Sequence, residues 1–131
     1  MNRERQPSTE ILVIDDDAIM RDLISDWLEA AGYAVRKATD CRSATAELAR
    51  APALVVSDMW MPGACGAEAI RWMREQHPGL RLIAVSGHFG SGQGCTEQAA
   101  KGAGAARTLA KPVKRADLLA AVAELVGPPR K

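Results

Sequence analysis

An α/β architecture, a parallel sheet covered by helices on both faces, follows from three features of this chain. Five short apolar runs recur along it: Ile11 to Ile14, Ala34 to Ala38, Ala53 to Ser57, Leu80 to Val85 and Ala106 to Ala110. Segments of helical character separate them, so the chain reads as five βα units. Three of the runs are nearly continuous in apolar residues, as strands buried on both faces of a parallel sheet are. The sequence shows no internal repeat and no dividing linker, and its 131 residues amount to one domain.

The helices can be placed in order. In the first, Met20, Leu23, Ile24, Trp27, Leu28 and Ala31 recur at three- and four-residue spacing, and Gly32 sits where a left-handed cap is wanted. Asp40 caps a second helix running through Leu48, and Pro52 prevents its continuation. A third runs from about Gly66 to Gln76, before Pro78. The last spans about Lys114 to Val126, with Leu118, Leu119, Val122, Leu125 and Val126 recurring before "GPPRK" stops it. Only the fourth is poorly written. "GHFGSGQGCTEQAAKGAG" holds six glycines, each costing about 1 kcal/mol inside a helix. A mobile loop and a short helix from about Thr96 to Lys101 are expected there.

Composition narrows the function classes. Apolar residues are 47% and charged ones 25%, as in ordinary globular domains. A formal net charge of +1 gives no reason to expect a nucleic-acid or anionic-membrane partner. No apolar run approaches the ~20 residues of a membrane span, and no secretory signal opens the chain. Cys41, Cys65 and Cys95 are odd in number and form no CxxC pair, which favours reduced cytoplasmic thiols. Residues 1–9 read as a flexible tail and 127–131 as a second one, around a domain at 10–126. Met1 and the form of both tails favour a stand-alone protein over a domain cut from a longer one.

In a parallel sheet, ligands bind beyond the carboxyl ends of the strands. Asp15, Asp16 and Asp17 follow the first run, Asp58 the third, Ser86 the fourth, and Lys111 with Pro112 the fifth. That edge therefore gathers carboxylates, a hydroxyl and an ammonium. Crowded carboxylates must be protonated or met by a cation. A hard divalent ion resolves the crowding, and Mg²⁺ commonly takes one or two carboxylates while keeping waters for substrate phosphate. Lys111 adds a compact positive charge. A lone aspartate at a strand end is usually a helix cap, but four separate loops supplying complementary chemistry are not an accident.

These residues closely resemble the receiver domain of two-component response regulators, over Glu10 to Val126. The resemblance rests on Asp15–Asp16 after the first strand and Asp58 after the third. Met61–Pro62 and Gly66 follow at the family's spacing, then Ser86 with small Gly87, and Lys111–Pro112. It implies a flavodoxin-like doubly wound sheet of strand order 2-1-3-4-5, in a chemotaxis-regulator-like single domain. It also implies that Asp58 is the phosphoacceptor, served by a sensor histidine kinase or histidine phosphotransfer protein, and by small donors such as acetyl phosphate. Mg²⁺ would be held by Asp16, Asp58 and the Trp60 backbone carbonyl, with Asp15 reaching it through water. Ser86 would hydrogen-bond the phosphoryl group, Gly87 would leave it room, and Lys111 would share its charge. Pro112 would follow a cis peptide, aiming Lys111 inward. Asp17 lies outside the matching pair, and helix capping is its expected role.

The resemblance also frames the output. A downstream protein would read the face of helix 4, strand 5 and helix 5. The family's aromatic switch position, three before the lysine, is Thr108 here, so the response is expected through the glycine-rich segment His88 to Gly94. The family tunes phosphoryl lifetime at positions held here by Trp60 and His88. A bulky indole should hinder water, while His88 reads as a loop residue. Cys65 and Cys95 lack zinc-ligand spacing, Cys41 belongs to a helix start, and Trp27 and Trp72 are core or partner-facing. Two rival classes fail on residues. An aspartate-nucleophile phosphatase wants a second Asp where Trp60 stands, and a flavin module wants a phosphate-cradling loop where "DDDAIM" repels phosphate. A degenerate, phosphorylation-independent scaffold would not keep Asp15, Asp16, Asp58, Ser86 and Lys111. No activity is expected beyond the domain's own phosphorylation and dephosphorylation.

Overall fold

Strand β1 (Glu10–Ile14) leads into helix α1 (Ala18–Ala31), then β2 (Ala34–Ala38) and a helical turn α2 (46–48). Strand β3 (Leu54–Asp58), helix α3 (Gly66–Gln76), strand β4 (Leu82–Ser86) and helix α4 (Glu97–Ala103) follow. Strand β5 (Arg107–Ala110) and helix α5 (Arg115–Val126) complete the order. This computed structural model describes residues 10–39, 46–49, 52–58, 60–61, 64–86 and 97–128. The five strands are parallel and ordered β2-β1-β3-β4-β5, as expected. Residues 1–9, residues 129–131 and the start of the second helix at Asp40 lie outside the described residues, whereas Gly127, expected to open the second tail, caps the last helix and accepts a bond from Tyr33. No helix among those described is long and apolar enough to cross a membrane.

Side-chain alternation sorts the core into two layers. Leu12 and Ile14 of β1, Val55 of β3, and Leu82 and Ala84 of β4 face one way, against Leu48, Ile70, Met73 and Ala100. Ile11, Val13, Leu54, Val56, Ile83 and Val85 face the other way, against Ile24, Leu28, Leu118 and Val122. So α2, α3 and α4 cover one face, and α1 and α5 the other. Each fully buried Leu or Ile is worth about 1.5–3 kcal/mol over exposure.

Helix ends follow local chemistry. The Asp17 carboxylate accepts from the N–H groups of Ile19 at 3.0 Å and Met20 at 3.4 Å, capping α1. Gly32 closes that helix at φ 110°, with its N–H on the Glu29 carbonyl and the Tyr33 N–H on that of Leu28. The buried side of α1 is narrower than its apolar spacing predicts. Leu23 is 38% exposed, while Ser25 is buried and donates to the Arg21 carbonyl at 2.7 Å. Helix α4 runs two residues past the expected Lys101, through Gly102, and stops at Gly104. Gly104 has φ 126°, and a Cβ there would collide with the Arg74 side chain.

Strand boundaries shift slightly from expectation. β3 reaches Asp58, which pairs in register with Val85. Leu80 stays outside β4: its N–H bonds the His77 carbonyl, and its own carbonyl accepts from Arg74.

Tyr33, 5% exposed, donates its hydroxyl to the Gly127 carbonyl at 2.9 Å. Burial penalises the phenolate and raises its pKa above the ordinary 10.0. The folded protein then holds this proton at higher pH than the unfolded chain. The stability so contributed is complete below pH 10.0 and is lost as pH climbs through the folded value. Tyr33→Phe should cost about 1 kcal/mol at neutral pH through the lost hydrogen bond. Its deficit should shrink in denaturant titrations carried out above pH 10.0, with tyrosinate absorbance marking the transition.

Candidate functional site at the carboxyl edge of the sheet

The strand order reverses direction at β1, whose neighbours are β2 and β3. A crevice opens beyond such a switch point. Asp15 continues β1 by one residue, its N–H bonding the Ala38 carbonyl at 3.1 Å. Register pairs Ile14 with Ser57, so Asp15 and Asp58 come level on adjacent strands. Both are almost fully buried, at 1% and 5% exposure, whereas Asp16 is exposed. Carboxylate oxygens of Asp15, Asp16 and Asp58 all lie within 4.8 Å of one another.

Lys111 reaches this cluster from beyond β5. Its Nζ lies 3.5 Å from Asp15 Oδ2 and 3.5 Å from Asp58 Oδ1. The Lys111–Pro112 peptide is cis, and the Lys111 N–H bonds the Ser86 carbonyl at 3.0 Å. Ser86 closes β4 and is itself buried at 1%. Thr108 lies on β5, partly buried and in register with Ala84. Asp15 Oδ1 accepts the Asp17 N–H at 2.9 Å, which orients Oδ2 toward the ammonium.

Two contacts to the cluster are absent from the sequence reading. Arg21 donates from Nη1 to the Asp15 carbonyl at 2.9 Å, and Ser57 donates to the Asp58 carbonyl at 3.2 Å. Arg21 left one signal. A cation in the first turn of a helix opposes the macrodipole, so it needs another reason to be there. Ser57 left none, because a serine within an apolar strand is compatible with any local bond. Trp60 lies in a two-residue antiparallel pair, Trp60 opposite Cys65 and Met61 opposite Ala64. Gly66 opens α3. Cys41, Pro62, Gly87, Cys95 and the segment His88 to Gly94 lie outside the described residues.

The donor set fits a hard cation. Three carboxylates share one corner with the Lys111 ammonium, and each carboxylate pair repels by roughly 3–4 kcal/mol at an effective dielectric near 20. Oxygen ligands on a partly open corner match a divalent ion that keeps some of its water. A cation that binds the folded state alone stabilises it by about 2.7 kcal/mol at a hundredfold excess over its Kd. Thermal unfolding across a divalent-cation titration should show this rise for the native sequence. In Asp16→Asn the rise should shift to higher concentration or vanish.

Comparison with known proteins agrees with this geometry. The model of the response regulator receiver domain matches residues 11–123, from β1 into α5. The C4-dicarboxylate transport transcriptional regulatory protein DctD of Pseudomonas aeruginosa is 40% identical over 61% of this chain. The transcriptional regulatory protein FixJ of Bradyrhizobium diazoefficiens is 40% identical over 60% of it. The matches take in 18% and 38% of those two proteins, so this chain corresponds to a minor part of each. The receiver domain of NtrX from Brucella abortus superposes with a TM-score of 0.80 at 34% identity, covering 88% of this chain and 97% of that one. The chemotaxis protein CheY4 of Vibrio cholerae does so at 0.81 and 27% identity, covering 92% and 100%. Motif, fold and family model thus coincide over the same span, and the chain belongs to the response regulator receiver domains of two-component systems.

Proposed function

We propose that this receiver accepts a phosphoryl group on Asp58 from a histidine kinase or histidine phosphotransfer protein, and thereby switches its binding to a downstream protein. The observation that carries the reading is the position of Lys111, 3.5 Å from both Asp58 and Asp15 within a cluster of three carboxylates. An Asp58 oxygen attacks phosphorus as the phosphorus–nitrogen bond to the donor imidazole breaks. The electron pair stays on that nitrogen, which is left as neutral imidazole or takes a proton from water. A carboxylate nucleophile forming an acyl phosphate is an established covalent strategy.

Transfer of this kind is governed by positioning and by neutralising charge on the phosphoryl oxygens. Lys111 offers its ammonium to those oxygens, and Ser86, at the end of the adjacent strand, offers its hydroxyl. Asp16, Asp58 and the Trp60 carbonyl would hold Mg²⁺, with Asp15 acting through water. The ion, when bound, supplies the divalent charge that lets an anionic donor approach a carboxylate cluster. Arg21, on the Asp15 carbonyl, steadies the turn that presents both β1 aspartates. A kinase-served receiver with reduced thiols works in the cytoplasm, and its own phosphorylation and dephosphorylation are the only reactions assigned to it. The face built by α4, β5 and α5 serves the downstream partner.

Incubation with acetyl phosphate, followed by intact mass, tests the reading. A phosphate-sized gain should appear with Mg²⁺, fall sharply without it, and be absent in Asp58→Asn. An equal gain in Asp58→Asn would overturn the assignment of the acceptor. The bulk of the Trp60 indole, two residues past the acceptor, is expected to slow attack by water. Trp60→Asn should lose its phosphoryl group several-fold faster in a mass time course, and an unchanged lifetime would remove that role.

A further inference from the structure

Helix α5 is held very differently at its two ends. Side chains from the beginnings of three separate strands grip its last turn. The Tyr33 hydroxyl donates to the Gly127 carbonyl at 2.9 Å, and the Arg81 guanidinium to the Leu125 carbonyl at 2.6 Å. Arg107 pairs with the Glu124 carboxylate at 2.9 Å. Tyr33 precedes β2, Arg81 precedes β4, and Arg107 opens β5. Two of these bonds fill carbonyls that a helix end leaves without intrahelical donors.

Among the described residues, the first turn has no comparable hold. Lys114 occupies the N-cap and makes no side-chain cap bond. Residues 114–117 are all exposed, and core contact resumes with Leu118. A cavity of about 300 Å³ opens beside this turn, lined in part by Leu109, Pro112, Val113, Lys114 and Asp117. The loosely held end is also the end joined to the site. Lys111 lies three residues before Lys114 and forms part of the same cavity wall.

We propose, resting on the phosphoacceptor reading above, that α5 works as a lever hinged at residues 124–127, and that its first turn with the adjoining cavity wall reports the state of Asp58. Added negative charge on Asp58 draws the Lys111 ammonium from its position between Asp58 and Asp15. Pro112 and Val113 carry that shift into the first turn, and the cavity gives the turn room to move. The last turn, bonded by Tyr33, Arg81 and Arg107, stays in place, so displacement decays along the helix. A local charge change thereby biases one element whose far end is fixed.

Amide hydrogen exchange on the full chain, before and after acetyl phosphate with Mg²⁺, tests the lever. The phosphorylated fraction is measured in the same samples by intact mass. Exchange at the amides of residues 118–120, which bond the carbonyls of the first turn, should change by roughly tenfold, the size of a modest local opening, while residues 121–127 stay unchanged. In Arg81→Gln, and more so with Tyr33→Phe added, the change should spread into 121–127. Arg81→Gln alone removes only an exposed bond and keeps the test valid should the double variant fold poorly. In a phosphorylated sample, an even change along α5, a change confined to its last turn, or none at all would overturn the lever alone. So would a response in Arg81→Gln that stays confined to the first turn. Failure of the chain to phosphorylate would overturn the acceptor reading and the lever with it.

Discussion

The Lys111 ammonium, set between the buried carboxylates of Asp15 and Asp58, is the contact on which the site depends. Two neighbouring strands deliver those carboxylates to one level, because the register of β1 on β3 pairs Ile14 with Ser57. Burying either charge alone would be strongly unfavourable. The lysine that offsets them comes from beyond β5, two strands away from β3, and its backbone is tied to Ser86 at the end of β4. Lys111, even with the Arg21 guanidinium on the Asp15 carbonyl, does not balance three carboxylates. The imbalance leaves the corner ready for a cation, and it makes any later change of charge at Asp58 felt by Lys111.

The rest of the sheet exists to hold those strand ends still. Strict alternation along β1, β3 and β4 divides the core into two apolar layers, each covered by its own helices. Slipping one strand by a residue would exchange every inward side chain for an outward one. Register is therefore firm, and the relative heights of Asp15, Asp58 and Ser86 are firm with it. In the central strands β3 and β4, polar residues enter only at the carboxyl end, where Ser57, Asp58 and Ser86 are buried.

The opposite edge of the sheet is closed by a different means. Tyr33, Arg81 and Arg107 bind the end of α5 there, and Gly32 turns the chain sharply out of α1. These bonds join the starts of three strands to one helix terminus. The molecule is thus braced at the edge away from the acidic cluster, where three side chains tie the end of α5, whereas residues 114–117 at its start are exposed.

Local chemistry made much of this legible in the sequence. The five strands, the α1 cap at Asp17, the Gly32 stop and the span of α3 depend on residues within a few positions of one another. The candidate site was legible too, since Asp15, Asp16, Asp58, Ser86 and Lys111 each follow a recognisable strand in a recognisable motif. What escaped the sequence involves partners distant along the chain or hidden by residue type. Leu23 counts as core by spacing yet is exposed, while Ser25 is buried because Arg21 satisfies its hydroxyl. Gly102 and Gly104 predict a weak fourth helix, but packing carries it to Ala103, and Gly104 fits beneath Arg74. The grip on α5 spans up to 94 residues of chain. Periodicity and motif determined which groups the chain carries and on which elements. Only the tertiary structure decided their distances and burial, because those depend on register and packing between segments that do not constrain one another locally.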